Sequence, residues 1–415
     1  MNGELSRERV TVRGVLHGPL SWTALALGAG FLVLALGLAA AGYSPSLALG
    51  ALWRGAFGST DALVSATLVR AVPLTVLGLG VALAFRGGAL NIGAEGQFYA
   101  GAIAAVWVGL RAAAWPAPVA VGAVLAASAA AGVLWIALPV LLRLRFGVLE
   151  VISTLLMNFV ADAVVSYAVT GPLREARGVY PESDPIAEAA RLPRLAGTRL
   201  HAGILVALAL AVLLWLLFTR TRWGFRLRAV GLGPRAAEVS GGIRVKAVIA
   251  GALLWSGALA GLGGGLEISG ISYALFQNLS PGYGFTAIAV ALLARLHPLG
   301  IVATGLLFGA LEAGAQGMQR EAGVPAVAVA VVEAMIIVVV LLAEVVARRA
   351  AAAGAAGDGD EGEDSGRVMW RPDRGEEPSP QAAPGRGPGR PPQGAPGPGP
   401  GDELSPPVGP DQGPA

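Results

Sequence analysis

Between residues 118 and 142 the chain carries no charged side chain, and between Ser21 and Gly42 it carries none either. About 20 consecutive apolar residues cross a bilayer as a helix, so runs of this length leave few other folds open. The pattern recurs at 62–85, 97–114, 148–170, 201–219, 247–268, 284–295, 298–316 and 324–346, which makes ten candidate spans. The run 284–295 is too short to cross as a straight helix and reads as re-entrant or broken. That form is tolerated only where protein or a water-filled cavity surrounds it.

Composition supports the same solvent. Of 415 residues, 54% are hydrophobic and 14% charged, against about 25% charged in soluble proteins. There is no Cys, so disulfides and thiolate chemistry are excluded. His17, His201 and His297 are scattered and have no metal-ligand spacing. A basic pI usually invites a nucleic-acid reading, but the positive charges sit in short loops beside apolar runs, as membrane topology requires.

Three regions differ. Residues 1–20 are polar and basic and lead into a run longer than a signal-peptide core, so a cleaved leader is not expected. Residues 21–349 form the membrane body. Residues 350–415 form a Gly/Pro-rich tail with 11 acidic and 5 basic residues, too poor in apolar groups to fold, and it is expected to be disordered. The sequence therefore predicts an all-α integral membrane protein with about ten spans.

Arg and Lys set the orientation. The segment 220–246 holds seven basic residues and one acid, Glu238, whereas 171–200 balances five Arg with four acids. Placing 220–246 in the cytoplasm puts both termini there as well. Arg70 fits poorly, because it falls nine residues into its span. A charge at that depth sits at the outer lip or snorkels.

Three segments interrupt the apolar pattern with chemistry. Arg86–Gln97 packs four glycines with Asn91, Glu95 and Gln97 between two spans. Gly is costly in a helix, so the backbone breaks or turns here. Polar groups at membrane depth usually line a pathway, and an ordinary loop turn fits the residues equally well. Next, Gly231–Gly242 has Pro234 where a helix starts and Gly241 where one ends, with Arg235, Ala236, Ala237, Glu238 and Ser240 between. A helix of about seven residues is unstable alone, so it must dock on its own bundle or on a partner. Finally, Gly257, Gly261 and Gly265 form a small-xxx-small stripe for close helix packing. A dinucleotide-binding reading fails because no strand precedes it. Glu267 ends that stripe and opens onto a polar segment, Ser269–Gly284.

Asn158, Asp162, Glu312, Gln316 and Glu333 are lone polar residues inside spans. Asn158 and Asp162 are four apart and share a helix face. Such residues either bond a neighbouring helix or serve transport. No phosphate-binding loop, hydrolase arrangement, voltage-sensor helix or filter motif is present.

Four stretches in order resemble one family of ABC importer permeases. They are Ala84–Phe98, Glu150–Asn158, Trp223–Ala237 followed by Gly242-Ile-Arg-Val, and Gly282–Leu293. That family serves ribose-type sugars, branched-chain amino acids and nucleosides, and Asn-Ile-Gly-Ala-Glu-Gly-Gln at 91–97 is similar to its nucleoside-uptake branch, with guanosine and inosine as expected solutes. The resemblance implies a plasma-membrane subunit that is not itself an enzyme. It also implies a second permease subunit, cytoplasmic ATPase subunits that bind the ATP and Mg, and an extracytoplasmic solute-binding lipoprotein. No cofactor, metal or nucleic acid is expected on this chain. Gly231–Gly242 matches the coupling helix that engages the ATPase, and Asn91, Glu95, Gln97, Asn158 and Glu267 are expected along the solute path. Ala287 stands where relatives often carry a polar or acidic residue, and relatives usually lack the acidic tail. Two alternatives stand beside this reading: a sugar or branched-chain amino acid permease, and an ion-driven transporter using Glu95, Glu267, Glu312 or Glu333 as a proton relay.

Overall fold

A computed structural model describes residues 19–325 except residue 196, with scattered positions between 331 and 345. The expected span 324–346 and the tail therefore lie almost wholly outside the described residues. Among the described residues, twelve helices longer than a single 3-10 turn follow in order, each named by its range: α1 Pro19–Ala40, α2 Pro45–Phe57, α3 Ala62–Arg86, α4 Ala94–Gly109, α5 Ala117–Phe146 and α6 Glu150–Thr170. The second half comprises α7 Gly203–Arg220, α8 Arg222–Leu232, α9 Pro234–Gly241, α10 Val245–Ser272, α11 Tyr283–Leu293 and α12 Pro298–Ala322. Six of these, α3, α5, α6, α7, α10 and α12, are long and apolar enough to cross a membrane.

Two expected spans differ from simple crossings. The run 97–114 becomes α4, which begins at Ala94 and has only 16 residues. The run 284–295 becomes α11, whose 11 residues rise about 16 Å. Helix α2 was not read as an element from the sequence. Arg54 and Gly55 interrupt its hydropathy, yet Pro45 opens it and its buried face packs on α12, where Gly55, Gly314 and Gly317 bring the two backbones together.

Helix α3 is the axis of the bundle. In its most apolar window 83% of residues are buried, against about a third in α5 and α6. It is antiparallel to α12, with Gly78 at Ile301, Thr75 at Gly305 and Ala71 at Gly309. The glycine stripe of α10 packs on α5, where Gly132 meets Gly257 and Gly261, and Ser128 meets Gly265. On its other side α10 presses on α4, because a Cβ on Gly101 would overlap the Gly261 carbonyl. Without a hydrophobic drive between helices in lipid, such close backbone packing is what holds a bundle together.

The connection 171–202 folds back over one end of the bundle. Ser183 and Ile186 donate backbone N–H groups to Leu275 and Tyr273, both at 2.8 Å, and Leu192 donates to Ser269 at 2.8 Å. Arg191 covers the Tyr273 ring at 4.7 Å. At the opposite end, α8 and α9 form a short helical hairpin. Helix α9 spans eight residues, with Gly233 before Pro234 and Gly242 at φ +56° after Gly241. The expected stop therefore moves one residue, from Gly241 to Gly242.

Candidate functional site

The glycine-rich segment after α3 breaks the helix inside the bundle. Gly88 at φ +72° ends α3 with two backbone bonds, Gly88 N–H to Phe85 O at 3.0 Å and Ala89 N–H to Ala84 O at 3.1 Å, the Schellman closure that a left-handed glycine permits. The chain then climbs in non-helical conformation to α4. Asn91 lies beside Ser256, eleven residues and about 16 Å along α10 from Val245. Non-helical backbone at such depth needs protein partners.

Helix α6 supplies them from one stripe. Glu150, Thr154 and Asn158 recur every four residues, hence on one face. Glu150 Oε1 accepts from Leu90 N–H at 3.2 Å, and Thr154 Oγ1 accepts from Ile92 N–H at 3.3 Å. Asn158 accepts from Gly96 N–H at 2.8 Å and donates to Ile92 O at 2.9 Å. Arg143 pairs with Glu150 and anchors the stripe. Within the segment, Asn91 Nδ2 donates to Gln97 Oε1 at 2.9 Å and to Ser256 Oγ at 2.9 Å, while Gln97 Nε2 donates to Asn91 Oδ1 at 3.0 Å. Asn91 also accepts from Gly93 N–H at 3.0 Å.

Glu95 faces the other way. Its Oε2 accepts from Gly284 N–H at 2.6 Å, so a carboxylate on α4 caps the first turn of α11, where unpaired N–H groups favour negative charge. Tyr99 Oη accepts from Ser280 N–H at 3.3 Å. The polar segment 273–282 thus descends into the bundle until α11 starts at the level of Glu95. Gln277 donates to Ser166 of α6 at 2.7 Å, and Asp162, one turn earlier on α6, is exposed.

A second polar group sits where α3, α10, α11 and α12 meet. Arg70 Nε lies 3.4 Å from Glu312 Oε1, its guanidinium also donates to Gln316, and Tyr283 donates to Glu312 at 3.4 Å. Glu267 accepts from Ser272 Oγ at 2.7 Å.

The structure therefore brings Asn91, Gln97 and Asn158 into one sealed network and places Glu95 on its rim. Glu267 lies in the separate Arg70 cluster. Ala287 is fully buried in α11. Sequence reasoning passed over Ser256, Thr154 and Glu150 as partners of the break and read Arg70 only as a topology misfit. The fourfold spacing of Glu150, Thr154 and Asn158 was the available signal.

The expected coupling segment stands apart from the bundle core but touches the break. Gly231, in the last turn of α8, packs backbone to backbone on Arg86, and Leu227 packs on Gly87. Arg86 lies over the Phe218 ring at 4.7 Å. Around α9, Ala237 is buried, whereas Pro234, Arg235, Ala236, Glu238 and Gly241 are exposed. Leu232 is 91% and Val239 87% exposed, beside an apolar cleft lined by Phe225, Ala229, Ala236 and Ile243.

Among the described residues no group of His, Asp and Glu could hold a metal ion. The family model for the branched-chain amino acid transport system permease component matches residues 63–340. The chain is 40% identical over 325 residues to a guanosine ABC transporter permease protein of Bacillus subtilis, covering 77% of this chain and 90% of that one. It is 38% identical over 291 residues to a glucose ABC transporter permease protein of Haloferax volcanii, covering 68% and 75%. It is 31% identical over 324 residues to a nucleoside ABC transporter permease protein of Lactococcus lactis subsp. cremoris, covering 75% and 88%. No solved structure matches.

Proposed function

Because the chain belongs to the family of branched-chain amino acid transport system permease components, we propose that it is the membrane-spanning subunit of an ATP-driven importer that carries nucleosides, purine nucleosides foremost, into the cell. The nucleoside assignment is supported by the guanosine and nucleoside permeases among its relatives and by Asn-Ile-Gly-Ala-Glu-Gly-Gln at 91–97. The glucose permease relative favours a second reading, a sugar as solute.

In this reading a partner ATPase binds ATP and Mg, a second permease completes the path, and an extracytoplasmic lipoprotein delivers the solute. The chain resides in the plasma membrane through its body, 21–349, with segments 1–20 and 350–415 in the cytoplasm. The seven basic residues of 220–246 put α8 and α9 on the cytoplasmic side.

The observation that carries the mechanism is the contact of Gly231 with Arg86. The hairpin offers Leu232, at the end of α8, and Val239, in α9 (Pro234–Gly241), to the ATPase. Movement of the hairpin passes through Gly231 to the end of α3 and the break above it. The break is held as a unit by Asn91, Gln97 and Asn158, so displacement shifts Glu95 and the start of α11. These residues, with Glu267, flank the solute path, and the bundle alternates between outward and inward access.

Uptake of labelled guanosine into cells that lack, then regain, this chain tests the solute. Chain-dependent uptake that cold inosine competes away, and that excess glucose or leucine does not, agrees with the assignment. Competition by glucose alone moves the solute to sugars.

A further inference from the structure

Arg70, Glu267, Tyr283 and Glu312 come from four helices and place charge inside the bundle. Arg70 lies eight residues, about 12 Å, into α3, and Glu312 lies ten residues, about 15 Å, before the end of α12. Their side chains are 20% and 17% exposed, and Glu312 lines a small cleft with Pro281, Thr286 and Phe308. Charges at such depth do not face lipid; they face the bundle interior or a water-filled cavity.

The cluster is incompletely satisfied. Arg70 Nε is buried and, despite its ion pair, makes no hydrogen bond. Glu267 is 4% exposed, and its Oε2 is a buried acceptor with no hydrogen-bond partner. Arg70 acts electrostatically on Glu267, and Tyr283 feels both. Buried polar groups without partners are rare and call for a specific explanation. A spare donor and a spare acceptor in one cluster suit a solute that presents both.

We propose that Arg70, Glu267, Tyr283 and Glu312 form a solute-contacting site that takes uncharged solutes with neighbouring hydrogen-bond donors and acceptors, as sugar hydroxyls and nucleobase amide edges present them. An anion would meet two carboxylates there, and a cation would meet the guanidinium. The partly buried Arg70–Glu312 pair is the first contact, and its opening uncovers Arg70 Nε and Glu267 Oε2. The site rests on the reading of the chain as a permease and specifies which of its residues select the solute.

The test measures half-saturation and maximal rate of uptake in cells holding the complete transporter. The labelled solute is guanosine or glucose, whichever the unaltered chain carries. If the unaltered chain carries neither, the nucleoside and sugar assignments fail, and this site is overturned with them. The double variant R70E/E312R keeps an ion pair between α3 and α12 but reverses it. Its half-saturation concentration is expected to rise about tenfold or more at normal membrane abundance, the scale of a lost hydrogen bond to a charged group. Tyr283→Phe, which keeps the ring packed on Phe98, is expected to raise it about threefold. Wild-type half-saturation in the reversed pair makes the cluster a helix clamp and overturns the proposal. If that variant does not reach the membrane, an unchanged half-saturation in Tyr283→Phe overturns it.

Discussion

Asn91 and Gln97 face each other across the start of α4 and exchange two amide hydrogen bonds, 2.9 Å one way and 3.0 Å the other. Asn91 is wholly buried, and Gln97 is 1% exposed. The pair closes the non-helical segment into a ring that needs no water.

Asn91→Ala leaves the Gln97 amide, Gly93 N–H and Ser256 Oγ without that partner. Each buried group stranded in this way costs about 1–3 kcal/mol, so the variant should lose roughly 3 kcal/mol and unfold at lower temperature in detergent. A wild-type unfolding midpoint would mean that the ring contributes nothing to stability.

Gly101 and Gly122 both lie in spans but in opposite surroundings. A Cβ on Gly101 would overlap the Gly261 carbonyl, whereas Gly122 has nothing within 4 Å. Gly101→Ala should destabilise by about 2 kcal/mol or more through overpacking, and Gly122→Ala should be neutral or stabilising by about 0.5–1 kcal/mol. Equal thermal stability of the two variants would contradict the packing account.

Leu232 and Val239 touch little of their own chain. Leu232→Arg and Val239→Arg should change stability by less than about 0.5 kcal/mol while reducing uptake at least tenfold, roughly the loss of one interface anchor. Glu238→Lys and Gly241→Trp should uncouple transport in the same way with insertion intact. Full uptake in all four, with ATPase activity still coupled to solute, would remove α9 from the docking surface.

His201, just before α7, is completely buried. Burial lowers its pKa from 6.5 to about 4. The fold therefore keeps the imidazole neutral, and the unfolded segment takes up the proton first. The associated stability, about 3 kcal/mol at most, is fully present above pH 6.5 and is lost as pH falls from 6.5 towards 4. Hydrogen-exchange protection of 182–202, taken relative to the intrinsic exchange rate at each pH, should fall over that window in the wild type and much less in His201→Gln. Identical profiles would exclude His201 as the cause.

Much of this architecture was legible in the sequence because the bilayer imposes a simple code. Run length gave the long helices, glycine density marked the break at 87–93, and shortness marked α11. The short hairpin helix was readable from Pro234 and the glycines after it. Helix α2 was hidden because thirteen residues with an internal Arg fall below any span threshold. Pairings distant in sequence were also hidden. Nothing near Arg70 indicates that Glu312 and Gln316 will meet it, and nothing near Glu95 indicates that Gly284 will need its carboxylate. Those contacts depend on how α11 begins inside the bundle, which hydropathy does not encode.

In the proposed cycle, nucleotide hydrolysis by a partner, transmitted through α9 and Gly231, drives solute across this bundle. The most direct measurement is guanosine accumulation in proteoliposomes containing the permease pair, its ATPase and the binding lipoprotein, with ATP supplied on the face that bears residues 220–246. Accumulation that requires ATP and stops with vanadate is the expected outcome. Accumulation by the chain alone under a proton gradient, insensitive to vanadate and abolished by an uncoupler, would contradict it.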